Sequence, residues 1–207
     1  MCARDRLPVS SRLALVVAPV VLVLAGCGDG GDAGGGGGSA GDEPITPGAV
    51  AALAAERFAE TAGEPTSGEG RSAPEGVLAS LRYDSEEQHY VRVGTSTESV
   101  DPQCEELLED YDGCAEHEGG VLAWDEVEPE EDPGVYTFMK QKGDLWVVVY
   151  YAGDLIEDDP RTSDLGVPVE AAVALVDDPA LDRTTTQEWV ERGEDLPWFE
   201  APDDRVS

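Results

Sequence analysis

The segment LWVVVYYA, Leu145–Ala152, restricts the possible folds of this chain more than any other. Its residues are β-branched, aromatic or aliphatic, which is typical of a strand. Alternate side chains of a strand point to opposite faces, and here both faces are apolar. One face would carry Leu145, Val147, Val149 and Tyr151, and the other Trp146, Val148, Tyr150 and Ala152. Such a strand is expected at the centre of a sheet, covered on both sides, with helices supplying part of that cover.

LWVVVYYA forms the second half of a predicted hairpin. Within GVYTFMKQKGDLWVVVYYAG it is the second of two β-rich runs, and Lys142-Gly143-Asp144 is a short glycine-containing loop between them. Further strands are predicted in VLASLRYD, QHYVRVGTST and GGVLAWDEV, and residues 84–87 join the first two into another hairpin. Strands that follow one another in this way predict an antiparallel β-meander.

An amphipathic helix is predicted in TPGAVAALAAERFAETAG, near the N-terminal end of the folded part. Thr46 is suited to cap this helix, Pro47 to occupy its first position and Gly63 to end it. The next segment, EPTSGEGRSAPEG, is rich in Gly, Pro and Ser and is predicted to be a loop.

Two shorter helices are predicted toward the C-terminal end. PVEAAVALVDD would begin at Pro168, and TTTQEWVERG has Thr185 and Glu188 at the spacing of a capping box with Gly193 as a stop. The expected fold class is therefore α+β. It consists of an antiparallel β-meander sheet with flanking helices near the N- and C-terminal ends of a single domain, residues 45–200. Residues 201–207 are expected to form a disordered tail.

Residues 1–26 have the layout of a secretory signal peptide. A short region with Arg4, Arg6 and Arg12 precedes an apolar run over residues 13–25. As a helix this run would span only about 20 Å, against roughly 30 Å of bilayer hydrocarbon. A permanent transmembrane helix is therefore the poorer interpretation.

Leu24-Ala25-Gly26-Cys27 ends this region and resembles the lipobox of bacterial lipoproteins. The resemblance implies cleavage before Cys27 and attachment of a diacylglyceryl group, with palmitate-type chains, to its thiol. Two or more acyl chains anchor a protein stably, at about 0.8 kcal/mol per buried CH₂. The alternative is an ordinary secreted protein with a chance Cys behind its signal. Residues 27–44 comprise the lipidated Cys and a Gly-rich acidic tether, which is expected to be flexible because it can bury no core.

The charge of the chain limits its partners. Residues 1–26 hold three Arg and one Asp, so removing them reduces 13 basic and 45 acidic residues to 10 and 44, a formal net charge of −34. So few cations exclude nucleic acid, and an anionic membrane surface would repel the domain. The membrane is therefore bound through the lipid at Cys27. The expected further partner is another envelope protein or a cationic ligand, and the protein is expected to be a monomer.

The stretch from Tyr90 to Trp198 resembles uncharacterised actinobacterial lipoproteins. The similarity lies in GGVLAW, DPGVYTF, GDLWVVVYYAG and DDPRTSDLGVPVEAAVALVDDPAL. The bias toward Gly, Ala, Asp, Glu and Arg, with two Lys and no Asn, is what high-GC coding produces. The resemblance implies a lipid-anchored, extracytoplasmic protein on the outer face of the cell membrane, and it implies no activity.

The sequence contains no recognisable catalytic motif. His89 and His117 are its only histidines, and neither is accompanied by Ser-x-x-Lys, G-x-S-x-G or H-E-x-x-H. Both are expected to be exposed or structural. No catalytic residue, cofactor or metal ligand is predicted, and the protein is interpreted as a non-enzymatic binding or interaction module.

Two alternatives stay open because of the many carboxylates. Asp110, Asp112 and Gly113 faintly resemble a calcium loop, as do residues 130–132. With Gly113 at position 6 of an EF-hand, position 1 would be Leu108 and position 12 Gly119, so the pattern fails at both ends. An irregular Ca²⁺ site in an acidic cation-binding lipoprotein is one alternative. A cell-envelope hydrolase using a pair of carboxylates is the other.

The four cysteines can be assigned in turn. Cys2 lies in the signal peptide and Cys27 is the lipidation site, which leaves Cys104 and Cys114. In an oxidising compartment these two are predicted to form a disulfide. Their spacing suits neither C-x-x-C redox chemistry nor the usual zinc sites.

The predicted disulfide restricts the shape of CEELLEDYDGC. The ends of a straight helix of this length would lie about 15 Å apart, whereas bridged Cα atoms lie within about 7 Å. A helix capped by Asp101 and Pro102 must therefore stop near Asp110, and Tyr111-Asp112-Gly113 must turn the chain back.

Overall fold

The fold is known from a computed structural model, which describes residues 41–83, 89–98, 101–127 and 134–200. The predicted signal peptide, Cys27, most of the tether, the link at residues 84–87 and the tail at 201–207 lie outside these residues. Within the described parts of the chain, no helix is both long enough and apolar enough to span a membrane.

Strands and helices alternate irregularly along the chain. The strands are β1 (Glu43–Pro44), β2 (Pro65–Ala73), β3 (Gly76–Tyr83), β4 (Tyr90–Ser96), β5 (Gly113–His117), β6 (Gly120–Asp125), β7 (Val135–Lys142), β8 (Leu145–Ala152), β9 (Thr184–Thr185) and β10 (Phe199–Glu200). The helices are α1 (Pro47–Ala62), α2 (Cys104–Leu107), α3 (Val169–Val176) and α4 (Gln187–Glu194). The predicted α+β class is confirmed, and Glu43 and Pro44, assigned above to the tether, form β1.

One open, mostly antiparallel sheet of eight strands dominates the described residues, in the order β10-β2-β3-β4-β8-β7-β6-β5. It consists of two meanders, β2 to β4 and β5 to β8, which meet where β4 pairs antiparallel with β8. The edge pair of β10 with β2 is parallel. Strands β1 and β9 form a separate two-stranded pair.

The helices α1 and α3 cover one face of the sheet and bury its core. Phe58 of α1 and Leu175 of α3 are fully buried with Leu81, Val149 and Tyr151 of the sheet. The outer side of α1 packs against α4, where a Cβ on Gly193 would lie 2.3 Å from the carbonyl carbon of Gly48. This close approach explains why α1 is buried over more than one face.

The strand β8 is central, as predicted, but it is covered on one side only. Leu145, Val147, Val149 and Tyr151 are buried, whereas Trp146, Val148, Tyr150 and Ala152 are half-exposed. The prediction of cover on both sides was wrong because the helices pack on the same face of the sheet. The second apolar set of β8 therefore lies on a surface.

The predicted loop EPTSGEGRSAPEG is mostly strand β2. It pairs antiparallel with β3 from Pro65 to Ala73. A Cβ on Gly70 would lie 2.4 Å from the Cβ of Pro47 and 2.7 Å from the ring of Phe199. Small residues here make room for neighbouring elements, and their loop-like composition misled the sequence interpretation.

Helix α1 has its predicted ends. The Thr46 hydroxyl accepts a hydrogen bond from the Ala49 amide at 3.1 Å, Pro47 is the first helical residue, and Gly63 ends the helix with φ +78°.

Helices α3 and α4 agree less closely with their predicted ends. Pro168 immediately precedes α3. The capping box of α4 was wrong, because Thr185 is buried in β9 and Thr186 precedes the helix without a side-chain cap. Gly193 was predicted to end α4 and instead lies within it, against Gly48.

Candidate functional site

The side of the sheet that faces away from α1 and α3 is a partly uncovered apolar surface. We call the outward side of β3, β4, β8 and β7 the open face. Its larger side chains, placed there by strand alternation and pairing register, are Leu78, Arg82, Tyr90, Arg92, Met139, Gln141, Trp146, Val148 and Tyr150.

The open face lacks the chemistry that dominates the rest of the chain. None of its four strands contains Asp or Glu, although the chain has 45 such residues among 207. Its large side chains are Trp, Tyr, Met and Arg together with aliphatic residues. Protein interfaces are enriched in the same aromatic residues, Met and Arg, and their centres are depleted of charged residues.

Two arginines stand close together at one end of the open face. The guanidinium carbons of Arg82 and Arg92 lie 4.9 and 5.5 Å from the centroid of the Tyr90 ring. Arg92 also donates to the Tyr90 hydroxyl, at 2.8 Å from its Nη2. The Tyr90 ring meets the edge of Tyr150 at 6.2 Å between centroids. The two cations are thus held over an aromatic surface.

These arginines differ from most other cations of the described residues, although Arg71 likewise forms no ion pair there. Arg57, Arg161, Arg183 and Arg192 each bind a carboxylate, and Lys140 binds that of Asp177. Within the described residues, neither Arg82 nor Arg92 forms an ion pair. Both side chains are exposed. They are therefore available to an anionic group on a partner.

At the opposite end, the open face leads into a cleft of about 560 Å³. Apolar lining comes from Val121, Met139 and Trp146. Carboxylates come from three residues, Asp101, Glu116 and Glu118, and no Lys or Arg lines the cleft. We call this the acidic cleft. Its composition favours a cationic group carried on an apolar or aromatic body.

The hairpin turn at the acidic cleft has an unusual backbone. Glu118, with φ +46°, is the only non-glycine residue with positive φ in the described chain, and Gly119 follows with φ +75°. A two-residue turn with both φ values positive normally carries Asn, Asp or Gly at its first position. A glutamate is tolerated here at a cost, and strain of this kind is concentrated at functional sites.

The predicted disulfide between Cys104 and Cys114 is present, with 5.4 Å between the Cα atoms. It attaches α2 to β5 beside the acidic cleft, which Cys104 itself lines. Helix α2 ends at Leu107, three residues before the predicted stop, and turns continue to Asp110. The predicted cap was wrong: Gln103 precedes the helix without a side-chain cap, and the Asp101 carboxylate accepts from the Gln103 amide.

Gly113 was predicted to be part of a turn, but it lies in a strand. It begins β5, and a Cβ there would lie 2.1 Å from the indole ring of Trp124 on the neighbouring strand β6. The adjacent Asp112 carboxylate accepts from the backbone N–H of Glu126 at 2.9 Å. This carboxylate therefore joins the residue before β5 to the residue after β6. Among the described residues no group of three or more His, Cys, Asp or Glu could hold a metal ion, and residues 130–132 lie outside them.

His89 belongs to a buried polar network on the helix side of the sheet. Its Nε2 lies 3.0 Å from Asp154 Oδ1, and the other Asp154 oxygen accepts from the Tyr151 hydroxyl and the Gly166 amide. Burial, assisted by the hydrogen bond to Asp154, raises the pKa of Tyr151 far above its ordinary value. A phenol that stays protonated cannot act as a base near neutral pH. The network fixes the chain after β8 to the sheet.

His117 is separate from this network. It ends β5, and its ring meets the edge of the buried Phe138 ring at 6.3 Å between centroids. His89, by contrast, is held by Asp154 and meets the edge of the Tyr151 ring. The imidazole of His117 packs against Phe138, and His117 itself also lines the acidic cleft.

Sequence reasoning missed the open face. It assigned the second apolar set of β8 to the core, because a strand pattern alone does not show which side the helices choose. The available signal was the scarcity of carboxylates in four predicted strands of so acidic a chain, where Asp84 at the end of VLASLRYD is the single one. Comparison with known proteins gives no match, whether to a family model, to a curated protein or to a solved structure.

Proposed function

We propose that this protein is a lipid-anchored, extracytoplasmic, non-enzymatic interaction module that binds a protein partner through its open face. The single observation that carries the proposal is the composition of that face. Four adjacent strands present Trp, Tyr, Met and Arg without one Asp or Glu, in a chain otherwise crowded with carboxylates. Exposed apolar patches of this kind mark sites of interaction with other proteins.

A protein fits the open face better than other classes of ligand. The face extends over four strands spaced about 4.8 Å apart, which is wider than a small molecule needs. Nucleic acid would be repelled by the surrounding carboxylates. Trp146, Tyr150 and Arg92 belong to the three residue types that contribute most to binding energy at interfaces, where a partner excludes water from them.

The lipid anchor determines where this module works. Cys27, modified as its lipobox resemblance implies, holds the chain at the outer face of the membrane. The Gly-rich tether behind it gives an end-to-end distance of roughly 20 to 25 Å. The open face can therefore reach proteins embedded in, or attached to, the same membrane.

The anchor is tested by replacing Cys27 with Ala in the full-length chain. The expected result is release of the protein from the membrane fraction into the medium or periplasmic extract. Retention of Cys27→Ala in the membrane fraction would contradict the anchor without affecting the open face.

The open face is tested by photocrosslinking in the cells that make the protein. A benzophenone amino acid is placed at Val148, in the middle of the open face, and as a control at Glu60, which is exposed on α1. We expect a discrete protein adduct from position 148 and none from position 60. Trp146→Ser with Tyr150→Ser should reduce the adduct at least tenfold while leaving the circular dichroism spectrum unchanged.

Two outcomes would contradict the proposed function. One is the absence of any protein adduct from position 148. The other is an adduct whose yield is the same at positions 148 and 60, since that would mean random collision.

A further inference from the structure

We propose that the partner which fits the open face is a second copy of this chain, in a two-fold symmetric dimer. This inference rests on the proposed function, because it names the partner of the same surface. It is carried by charge complementarity between the open face and the acidic cleft that adjoins it. The arginine pair, Arg82 and Arg92, and the acidic cleft are the two charged ends of a surface whose middle is apolar.

The two charged ends are well separated on the sheet. Arg82 lies on β3, whereas the cleft residue Val121 lies on β6, with β4, β8 and β7 between them. Four steps between strands correspond to about 19 Å. Along β8 the ends are also offset, because Tyr150 neighbours the arginine pair and Trp146 lines the cleft.

A two-fold axis suits this arrangement. In an isologous contact, residue i of one copy meets residue j of the other, and j meets i. With the axis in the plane of the open face, close to Val148, the arginine pair of each copy would lie against the acidic cleft of the other. One geometry thus brings both arginine pairs, which form no ion pair within the described residues, against both sets of cleft carboxylates, Glu116 and Glu118 included.

The apolar middle supplies the non-polar part of the contact. Trp146, Val148 and Tyr150 stand in a row on the outward side of β8, next to Met139 of β7. Trp146, Val148 and Tyr150 are half-buried in the single chain, and Met139 is buried beside them. Placing the two rows against each other removes them from water, which is the dominant favourable term in protein association.

The net negative charge of the mature chain opposes this dimer at long range. The dimer should therefore depend on salt concentration in a characteristic way. The repulsion between copies acts over the Debye length, which is about 30 Å at 0.01 M salt and 8 Å at 0.15 M. The contacts between arginine and carboxylate act over a few ångströms. Dimerisation should therefore strengthen from 0.01 to about 0.15 M NaCl and weaken again near 1 M.

The mass of the crosslinked adduct separates this inference from the proposed function. An adduct from position 148 at twice the mass of the protein, containing both of two differently tagged copies, supports the dimer. An adduct with a different protein, without a doubled species, leaves the proposed function intact and overturns the dimer. The absence of any adduct overturns both.

Charge exchange tests the contact itself, using full-length copies with two different tags in the same cells. Arg82→Glu with Arg92→Glu makes one variant, and Glu116→Lys with Glu118→Lys makes the other. All four positions are exposed, so both variants should fold like the wild type. Each variant expressed with itself should show at least tenfold less co-capture than the wild type.

The two variants expressed together should recover co-capture, because new glutamates then face new lysines while the other contact stays native. Failure of the mixed pair to recover would overturn the dimer. Undiminished co-capture of either variant with itself would also overturn it. Glu60→Lys with Glu188→Lys, on the helix side, is the matched control and should leave co-capture unchanged.

Discussion

Asp154 gathers hydrogen bonds from three distant parts of the chain. Its oxygens accept from His89 before β4, from Tyr151 in β8 and from the Gly166 amide in the segment before α3. A Cβ on Gly166 would lie 2.3 Å from Cε1 of the His89 ring. The imidazole is held in place by Asp154, so any side chain at position 166 would clash with it and only glycine fits.

Gly166→Ala is therefore expected to destabilise the fold by about 2 kcal/mol through overpacking. The control is Gly143→Ala, where nothing lies within 4 Å of the Cβ and φ is +63°. Gly143→Ala should lower the free energy of unfolding by about 1 kcal/mol, because only its backbone conformation is strained. Urea unfolding of both variants measures the difference, and equal losses would contradict the role of Gly166.

Three tyrosines are expected to resist ionisation in the folded protein. Burial raises the pKa of Tyr83, Tyr136 and Tyr151 well above the ordinary 10.0. Because the folded pKa is the higher one, their contribution to stability is complete below pH 10 and is lost as the pH rises further. Absorbance at 295 nm should show these phenols ionising only with unfolding. Reversible ionisation of all six tyrosines with unchanged circular dichroism would contradict this.

Single residues were the hardest features to predict. Thr46 and Pro47 act locally, so sequence spacing was enough to place the start of α1. The partners of Asp154 depend on how three segments pack, and no short motif contains them. The contact of His89 with Asp154 is one of these and could not be named from sequence.

At the scale of elements, both lysines of the chain hold the segment that follows α3. The Nζ of Lys142 donates to the carbonyl oxygens of Asp178 and Leu181, each at 2.8 Å. The Nζ of Lys140 contacts the Asp177 carboxylate at 2.6 Å, where that side chain is 48% exposed. A cation at the C-terminus of a helix is favourable, because the last carbonyl groups there lack partners.

Lys142→Met should destabilise the protein by about 2 kcal/mol, since two partly buried carbonyl groups lose a charged donor. Lys140→Met removes a more exposed ion pair and should cost less than about 1 kcal/mol. Thermal unfolding of the two variants in the same buffer compares them. A larger loss for Lys140→Met would show that these assignments are reversed.

Elements were predicted from sequence where local pattern and packing agree. The hairpin of β7 and β8 is clear from its apolar runs and from Gly143 between them. Strand β2 was missed because its glycines admit Pro47 and Phe199, which is a tertiary requirement. The capping box of α4 failed for a similar reason, since Thr185 is engaged in β9.

At the scale of the whole molecule, the chain carries far more negative than positive charge. Carboxylates on the helices and loops repel one another, and this repulsion destabilises the compact state. Salt screens such repulsion. The same excess makes the carboxylate-free open face conspicuous.

Raising NaCl from 0.05 to 1 M should therefore stabilise the full-length protein by about 1 kcal/mol, or about 4 °C in Tm for a domain of this size. Glu60→Lys with Glu188→Lys, which reduces the negative charge at exposed positions, should show a smaller rise. Differential scanning calorimetry measures both. A Tm that falls with salt would mean that attractive ion pairs outweigh the repulsion.

The fold class could be predicted from sequence, and the candidate site could not. Alternating apolar patterns are enough to predict strands and helices, and the compartment implied by Cys27 led to the disulfide of Cys104 and Cys114. Strand order was not predictable in the same way. The chain leaves the centre of the sheet after β4, builds the far edge at β5 and returns through β6 and β7 to the centre at β8.

Because β8 is central in the sheet but late in the chain, the centre of the sheet can form only after most of the strands have been synthesised. Its pairing joins Ser96 to Trp146 and Tyr90 to Ala152, so β5, β6 and β7 must all be synthesised before β4 gains its second neighbour. Such distant pairings form slowly. If the chain is exported with its N-terminus first, β4 and β7 are outside the membrane before β8, the strand that pairs with both. Until β8 follows, each has an exposed edge that is prone to pair with other chains. The passage of β8 is then the step that ends this exposure.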